Sequence, residues 1–357
     1  MSIKKTPLYE AHLELRAKMV PFARFEMPVS YQTPIQEHRQ VLDSCGVFDV
    51  SHMGRIQISG PDAGVFLEGL ATNTLASKQV HSATYTLFCN ENGGVIDDLI
   101  VLKEEPSLYS IIANSSNREK DLAHLKLQAK KFDVNITPLY EQEGILAVQG
   151  PAAKDCLEKI FSPGPLPQPM KISYGSFQGS TILISGTGYT GTLGYELFIP
   201  NTLLLPVWKA LIDANAVPVG LAARDLLRLE MGYALYGHEL SEEISALETV
   251  SAWTIKWQKE TFLGKKALMQ HRLESRRFPI GLVLKEPGVP REGYRLFKEG
   301  QFIGKVTSGT YSPVLSCGIA LGLSDLPLQL GDSIQVEIRQ RKVNAEIVSL
   351  PFVRRLK

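Results

Sequence analysis

Two adjacent aspartates, Asp97 and Asp98, stand in an apolar run of the sequence directly after a tight turn. The turn Asn92-Gly93-Gly94 consists of residues that tolerate φ > 0, so it predicts a β-hairpin whose second strand carries both carboxylates. Because side chains alternate along a strand, we expect Asp98 to share a face with Ile96 and Ile100, whereas the other aspartate points the opposite way. A carboxylate among apolar neighbours needs hydrogen bonds, a cation or a polar ligand, so at most one of the two is expected to face a pocket.

The length and charge of the chain restrict the classes of protein to consider. With 357 residues it exceeds what one hydrophobic core usually organises, so two or three domains are expected. The 38 Lys+Arg against 37 Asp+Glu predict no general attraction to nucleic acid or to an anionic membrane. No apolar run reaches the roughly 18–20 residues of a membrane helix, and the start lacks a secretory signal. We therefore expect a cytoplasmic protein.

The cysteines and histidines predict neither a metal site nor a disulfide framework. The four cysteines are far apart and form no C-x-x-C pair, and the seven histidines include no H-E-x-x-H motif. The cysteines are expected to pack as thiols, and no metal is expected. His52 is a candidate base, but it has no identified orienting partner, and a structural role is the alternative.

Helical and extended patterns are interleaved in the first three quarters of the chain, and after about residue 277 the pattern changes to short extended runs. Weak helical periodicity runs from Leu8 to Val20, and Thr33-Pro34 is typical of the start of a second helix. From Phe278 onwards short β-like runs follow one another, and glycine or proline separates most of them. This spacing predicts an α+β protein whose C-terminal part is an antiparallel barrel or sandwich.

The segment Gly186-Thr187-Gly188-Tyr189-Thr190-Gly191 matches the G-x-G-x-x-G pattern of dinucleotide-binding proteins. That motif must open a helix whose N-terminus receives the pyrophosphate. The residues that follow are strand-forming, so an NAD site is disfavoured. In this strand Glu196, on the same side as Phe198, is either a buried ion-pair partner or a carboxylate that accepts two parallel N–H bonds from a ligand.

Further polar and aromatic residues have both a structural and a binding interpretation. Arg224 and Arg228 share one face of a predicted helix, where they are either solvated or bind a carboxylate of a ligand or of the protein, such as Glu196. The other candidates for a pocket, for which core packing or a turn is the commoner role, are Met53, Tyr85, Asn114, Tyr174, Tyr189 and Trp253.

Taken together and in order, these segments resemble the aminomethyltransferase (T-protein) family of the glycine cleavage system. The similarity extends nearly from end to end and includes the family's opening, its active-site hairpin, its folate-binding turn and the hallmark of its C-terminal domain. The matching segments are Thr6–His12, Val47–Gly54, Asn90–Asp98, Thr187–Glu196, Gly220–Glu230 and Val306–Pro313.

The resemblance implies an α+β fold with three domains arranged around a central tetrahydrofolate site, and the last domain is a C-terminal antiparallel β-barrel. The implied folate-binding aminomethyltransferase region covers 1–270, and the barrel covers 278–357. Within the first region two interleaved subdomains are expected, one formed by about 1–50 with 140–270 and the other by 51–139.

The resemblance also implies the activity and the roles of individual residues. The substrate is an aminomethyl group on the lipoyl arm of the H-protein, and tetrahydrofolate is the co-substrate that takes up the methylene. The products are 5,10-methylenetetrahydrofolate, ammonia and dihydrolipoyl H-protein, and no metal is required. Asp98 matches the catalytic aspartate, as an electrostatic and positioning group, and Glu196 and Arg224 match folate contacts. The implied pocket lining is Met53, Tyr85, Ile100, Asn114, Tyr174, Tyr189 and Trp253.

The chain departs from the family pattern at a few positions. Arg24-Phe25 replaces a usual Gly-Trp, Gly186 replaces a frequent arginine, and Val250 replaces a glycine. The tail after Pro351 is short, which leaves a C-terminal folate contact open. Because the catalytic aspartate and both main folate contacts are retained, an active enzyme is expected.

Two alternatives share the folate-binding scaffold. One is a folate-dependent demethylase of a small N- or S-methyl compound. The other is a noncatalytic folate-binding factor for iron–sulfur assembly, which is marked by a reactive cysteine in a Lys-Gly-Cys-Tyr setting. The matching turn at 188–196 contains no cysteine, so the second alternative is disfavoured.

Overall fold

The computed structural model describes residues 3–161, 166–274 and 277–355. The helices of this part are α1 (Tyr9–Glu14), α2 (Pro34–Asp43), α3 (Ala63–Leu70), α4 (Arg118–Gln128), α5 (Ala153–Ile160), α6 (Asn201–Asp213), α7 (Leu221–Glu230) and α8 (Lys265–His271). Its strands are β1 (Lys4–Lys5), β2 (Lys18–Phe22), β3 (Phe25–Ser30), β4 (Gly46–Asp49), β5 (Gly54–Ser59), β6 (Ser82–Cys89), β7 (Val95–Glu105), β8 (Leu108–Ala113), β9 (Asn135–Pro138), β10 (Glu143–Gln149), β11 (Ile172–Phe177), β12 (Ser180–Ser185), β13 (Gly194–Pro200), β14 (Val217–Pro218), β15 (Phe278–Leu284), β16 (Arg295–Lys298), β17 (Gln301–Ser312), β18 (Cys317–Ser324), β19 (Ser333–Ile338) and β20 (Arg341–Val348). Over the described ranges, no helix is both long enough and apolar enough to cross a bilayer.

These strands form sheets and one closed barrel. A three-stranded sheet has the order β1-β3-β2, and a six-stranded mixed sheet has the order β11-β12-β13-β10-β4-β14. A five-stranded antiparallel sheet has the order β6-β7-β8-β5-β9. The barrel has the order β15-β18-β17-β16-β19-β20, and all its neighbouring strands are antiparallel. The expected α+β fold with a C-terminal antiparallel barrel is confirmed.

The core of the barrel follows from the alternation of side chains along its strands. One apolar cluster fills the interior and takes every second residue of the strands at the closing seam. These residues are Ile280, Leu282 and Leu284 of β15 and Val343, Ala345 and Ile347 of β20. The short, apolar, turn-separated runs seen in the sequence are therefore barrel strands.

The division of the first region into two interleaved subdomains stays a prediction, and the strand order supports it. The six-stranded sheet takes its strands from 46–49 and 143–218, whereas the five-stranded sheet takes its strands from 54–138. The chain therefore starts the first sheet, forms the second one and then returns to the first.

The N-terminal segment differs from the expected helix between Leu8 and Val20. Helix α1 ends at Glu14, Arg16 has a φ of 56°, and β2 pairs with β3. A residue in the left-handed region breaks a helix, and the β-branched Val20 followed by Pro21 favours an extended chain. The helix prediction is thus wrong beyond the first turns.

The second helix begins where the sequence predicts it. The Thr33 hydroxyl accepts a hydrogen bond from the backbone N–H of Gln36 at 3.3 Å, and the Gln36 side chain accepts one from the backbone N–H of Thr33 at 3.3 Å. This capping box, with Pro34 as the first helical residue, satisfies backbone donors that the helix itself leaves free. Helix α2 then packs on α7, where His38 Nε2 lies 2.8 Å from Glu230 Oε2.

The predicted hairpin is formed by β6 and β7. Asn90 Oδ1 accepts hydrogen bonds from the backbone N–H groups of Asn92 and Gly94, both at 3.0 Å, and Gly93 has a φ of 80°. The turn also contacts a distant segment, since the Asn90 side chain donates to the Glu242 carbonyl at 3.1 Å. The turn is therefore fixed both by its own residues and by tertiary contacts.

One face assignment in this hairpin is wrong. The register shifts between Phe88 and Cys89, which leaves Ile96 as a bulge residue of β7. Ile96 therefore packs in the same core cluster as Leu99, whereas Ile100 packs against a different cluster. A bulge reverses the alternation on one side of it, and the sequence pattern does not reveal its position.

We predict that Gly94→Ala destabilises the protein by about 1–3 kcal/mol, because overpacking is costly. A Cβ at this position would lie 1.8 Å from the carbonyl oxygen of Glu242. Gly69→Ala in α3 is the matched control, since its Cβ meets no atom within 4 Å and alanine favours a helix. Thermal unfolding measures both variants. Equal melting temperatures would show that the turn is not held against the Glu242 segment.

Candidate active site

Asp98 is half-buried on β7, and both of its carboxylate oxygens accept hydrogen bonds. Tyr85 Oη donates to Oδ2 at 3.0 Å, and Asn114 Nδ2 donates to Oδ1 at 2.8 Å. Burial, followed by the charge of Asp97, raises the pKa of Asp98 from 3.8 to about 7, although the two hydrogen bonds oppose the rise. Asp98 is therefore a carboxyl group that changes its charge near neutral pH.

Asp97 lies on the opposite side of β7 and is completely buried. Its Oδ2 accepts a hydrogen bond from the backbone N–H of Asn114 at 3.0 Å. Its Oδ1 accepts bonds from Asn114 Nδ2 at 2.9 Å and from Asn117 Nδ2 at 2.5 Å. The expected division of the two aspartates is confirmed, and the Asn114 amide contacts both of them.

Tyr85 connects Asp98 to the surface of the protein. Its Oη lies 2.8 Å from Ser251 Oγ, so one hydroxyl orders both neighbours. The Tyr85 ring stacks on the Trp253 ring, with centroids 5.9 Å apart and an interplanar angle of 25°. Trp253 is 60% exposed. The two rings thus form an aromatic wall that extends from Asp98 to solvent.

Arg224 on α7 is a cation without a carboxylate partner. Its guanidinium carbon lies 4.5 Å from the centroid of the Tyr189 ring, and its Nη2 lies 4.0 Å from Met53 Sδ. Within the described residues, no Asp or Glu oxygen is at ion-pair distance from it, in contrast to Arg228 one turn later. Burial lowers the pKa of Arg224, but a guanidinium remains charged. The ring of Tyr189 stabilises this charge only in part.

Glu196 on β13 is a buried carboxylate with unused acceptor capacity. The Thr187 hydroxyl donates to its Oε2 and is the one donor to this carboxylate in the described part of the chain. Burial raises the pKa of Glu196, whereas the Thr187 bond and the charge of Arg224 lower it. A carboxylate can accept about four hydrogen bonds, so Glu196 has room for donors from a ligand.

Most of the predicted residues lie together, and Tyr189 lies against Arg224 and near Asp98. Burial raises the pKa of its phenol, and Asp98 adds to this rise, while Arg224 opposes it. Met53 and Ile100 pack against one shared core cluster. Tyr174 lies toward the far end of β7, where its hydroxyl donates to Glu104 Oε2 at 3.0 Å. The roles of these residues in binding stay predictions.

The glycine-rich segment at 186–191 is a loop that passes into β13, and no helix follows it. The helix that a dinucleotide site requires is therefore replaced by the predicted strand. Gly188 is needed for close packing, because a Cβ there would lie 2.0 Å from Gln149 Oε1. Gln149 Nε2 in turn donates to the carbonyl groups of Thr187 at 3.2 Å and Tyr195 at 3.3 Å.

His52 is a buried side chain that packs among aromatic rings. Burial, followed by the charge of Arg224, lowers its pKa to about 3. Its ring contacts Phe22 and Phe25 edge to face, with centroids 5.6 Å and 6.5 Å apart. Over the described ranges, no group of three or more His, Cys, Asp or Glu side chains is arranged to hold a metal ion.

Comparisons with known proteins match the chain over almost its whole length. Residues 8–259 match the model of the GCVT N-terminal domain, and residues 277–354 match that of the glycine cleavage T-protein C-terminal barrel domain. The chain belongs to the glycine cleavage T-protein family. The family assignment expected from the sequence is confirmed.

Full-length relatives of this T-protein family member are aminomethyltransferases. Those of Thermus thermophilus and Halothermothrix orenii are 43% and 40% identical to it over 353 and 359 residues. Each match covers 98% of this chain, and 99% and 100% of the two relatives. The crystal structure of glycine cleavage system aminomethyltransferase T from Bartonella henselae is 32% identical, with a TM-score of 0.92 and 99% of both chains covered. The chain is therefore an aminomethyltransferase of glycine cleavage, and neither the demethylase nor the iron–sulfur alternative is supported.

One arginine of this T-protein binds carboxylates of the protein, which is one of the roles that the sequence left open. Arg228, expected either to be solvated or to bind a carboxylate of a ligand or of the protein, is buried and donates to Asp225 at 2.8 Å, Glu239 at 3.2 Å and Ser308 at 2.9 Å. Ser308 belongs to β17, so this arginine connects α7 to the barrel. Arg224 and Arg228 lie one turn apart on the same face of α7. No local sequence pattern shows that Arg228 is paired and Arg224 is not.

Other site contacts of the T-protein come from residues that are distant in sequence. The hydroxyls of Ser251 and Thr187, which the sequence did not single out, hold Tyr85 and Glu196. The short tail also reaches this region, since Arg355 donates to the carbonyl oxygens of Thr190 and Leu227 and pairs with Glu230. The tail therefore contacts the loop that carries Tyr189 and the helix that carries Arg224.

The raised pKa of Asp98 predicts a pH-dependent stability difference between the wild type and Asp98→Asn. Between about pH 4 and 7 the folded state holds a proton that the unfolded state has released, so the free energy of unfolding of the wild type falls as the pH rises. Asparagine does not titrate. The melting temperature of Asp98→Asn relative to the wild type should therefore rise from about pH 4 to about pH 8. A constant difference would contradict the raised pKa.

Proposed function

We propose that this aminomethyltransferase transfers the methylene of an aminomethyl group on the lipoyl arm of the H-protein to tetrahydrofolate. The observation that carries the proposal is the set of three unneutralised groups around one site: the Asp98 carboxyl, the Arg224 guanidinium and the Glu196 carboxylate. None of them pairs with an opposite charge at ion-pair distance among the described residues. Such groups are available to a ligand that has both hydrogen-bond donors and negative charge.

The residues of the site fit tetrahydrofolate. Glu196 can accept two parallel N–H bonds from an aminopyrimidinone ring, and Arg224 can bind a carbonyl or carboxylate group. Aromatic and apolar side chains suit a flat heterocycle, and those we propose as the lining, together with the amide of Asn114, are Met53, Tyr85, Ile100, Tyr174, Tyr189 and Trp253. Tetrahydrofolate supplies the amine nitrogens that accept the one-carbon unit.

Asp98 is the proposed catalytic residue. The transfer generates positive charge at the aminomethyl carbon and its nitrogen, and a carboxylate held at both oxygens stabilises that charge without reorganising. The hydrogen bonds from Tyr85 and Asn114 fix its orientation. A cation beside Asp98 lowers the pKa of the carboxyl and so favours its ionised form. The enzyme thus develops its catalytic charge when its substrate is bound.

The proposed setting of the reaction is the cytoplasm, with the lipoylated H-protein as protein partner and with neither nucleic acid nor membrane involved. The near balance of 38 basic and 37 acidic residues supports a chain that does not bind polyanions in general. The exposed Trp253 beside Tyr85 gives a carried substrate an aromatic surface to approach.

We predict that Asp98→Asn lowers the rate of ammonia release from aminomethylated H-protein in the presence of tetrahydrofolate by about 10²–10³-fold. Asp213→Asn, an exposed aspartate at the end of α6, is the matched control and should leave the rate unchanged. In the wild type kcat/KM, which reports the ionisation of the free enzyme, should fall as the pH drops through about 7, where Asp98 gains a proton. A variant as fast as the control would rule out the assigned role.

A second prediction concerns folate binding. Glu196→Ala should weaken the binding of tetrahydrofolate by about 1.5–3 kcal/mol, because charge-assisted hydrogen bonds are lost. Titration calorimetry measures the affinity, and Glu158→Ala on the exposed side of α5 is the control. Unchanged affinity with an intact fold would remove Glu196 from the folate site.

A further inference from the structure

A third buried carboxyl group, Asp121, lies behind the two aspartates of β7. Asn117 and Asp121 are four residues apart at the N-terminal end of α4, so they point from the same side of the helix. Asp97 and Asp121 are both 0% exposed, and Asn117 is 3% exposed. The transfer chemistry described above uses Asp98 and leaves Asp121 without a role.

Of the two buried carboxyl groups Asp97 and Asp121, only Asp97 receives hydrogen bonds from N–H donors of the described residues. Asp97 accepts three N–H bonds, two from Asn114 and one from Asn117. Neither oxygen of Asp121 accepts a hydrogen bond from any donor in the described part of the chain. The Asp121 carboxyl group lies instead against the carboxyl group of Asp97, and the two interact directly. Two carboxyl groups can share a hydrogen bond only if one of them carries a proton.

The charged and titratable groups around the pair do not neutralise two negative charges. On the pocket side they are Asp98 and the Tyr85 phenol. On the α4 side the charge of Lys120 acts on Asp121, but its ammonium donates to Tyr236 Oη at 2.6 Å and to Glu242 Oε1 at 3.1 Å. The remaining group is His124, whose pKa is lowered by burial, so it adds no positive charge at neutral pH. Buried like charges without a cation do not ionise together.

We propose that Asp121 is a permanently protonated carboxylic acid that donates its hydrogen to Asp97, and that this bond keeps Asp97 ionised directly behind the catalytic Asp98. The N–H donors stabilise a negative charge on Asp97, whereas no hydrogen-bond donor in the described part of the chain stabilises one on Asp121. Burial and the charge of Asp97 also raise the pKa of Asp121 well above its ordinary value. The proton remains on Asp121 throughout turnover, and no bond is made or broken there.

The consequence for the reaction is electrostatic. Asn114 Nδ2 contacts Asp97 Oδ1 at 2.9 Å and Asp98 Oδ1 at 2.8 Å, so the charge on Asp97 acts on Asp98 across one amide group. The charge on Asp97 thus sets the pH range in which Asp98 is ionised, and Asp121 is a positioning residue that keeps Asp97 charged. This inference rests on the proposed role of Asp98 only where it concerns turnover.

The test compares Asp121→Asn with Asp97→Asn in the full-length enzyme. An asparagine at 121 is neutral and donates an N–H in place of the acid O–H, so the titration of Asp98 should remain where it is in the wild type. Asp97→Asn removes a charge and should lower the pKa of Asp98 by about one unit or more. Infrared difference spectroscopy follows the carboxyl bands of Asp98, and the pH profile of ammonia release reports the same titration. If Asp121→Asn shifted the pKa of Asp98 as far as Asp97→Asn does, the proposal would be overturned.

A second measurement needs no variant to fold. In protein with 13C-labelled aspartate carboxyl groups, one resonance should have the shift of a protonated acid and should stay unchanged from about pH 5 to about pH 9. Titration of every aspartate in that range, or absence of a protonated one, would refute the proposal. If this resonance is found but Asp98→Asn turns over normally, the buried acid stands and the proposed catalytic role fails.

Discussion

The cost of burying carboxylates on one strand determines how the rest of the site is built. An aspartate within an apolar strand must be given donors, and β7 carries two in succession. The end of β8 supplies Asn114, the start of α4 supplies Asn117, and β6 supplies Tyr85. These elements belong to one sheet and the helix that follows it. The local architecture therefore follows from the need to satisfy Asp97 and Asp98.

The second feature is that the charges of the site do not neutralise one another. Arg224 and Glu196 influence each other's pKa, yet they form no ion pair, and Arg224 packs on the ring of Tyr189 instead. Direct pairing would occupy the groups that a ligand needs. Keeping them apart in a buried site is costly, and the protein meets this cost with single hydroxyl donors and aromatic faces. Binding of a complementary ligand then completes the interactions.

The barrel and the tail hold α7, the helix that carries Arg224. Arg228 connects this helix to β17, and Glu230 accepts a hydrogen bond from Ser312 at 2.5 Å and pairs with Arg355. His38 of α2 approaches the same carboxylate from the other side. Breaking one partner of such a buried network leaves a charge uncompensated, so the network fixes the helix in one position. The barrel thus contributes to the site without placing a residue beside Asp98.

Local patterns in the sequence determined many of the secondary-structure elements. The Asn92-Gly93-Gly94 turn, the alternation that separates Asp97 from Asp98, and the short apolar runs of the barrel depend on backbone preferences and on the period of a strand, which operate over a few residues. Similarity of whole segments to a family then identified Asp98, Glu196 and Arg224 as the residues to consider. The spacing of residues by itself left each of them open.

The tertiary structure decided the different roles of residues that look equivalent in the sequence. It buried Arg228 in ion pairs and left Arg224 unpaired, placed a bulge at Ile96, and brought Asp121 behind Asp97. Each outcome depends on contacts between segments that are distant in the chain, where the free energy of burying a charge is set by neighbours that no local pattern contains. The sequence alone therefore determines which groups can act, and the fold determines their ionisation and their partners.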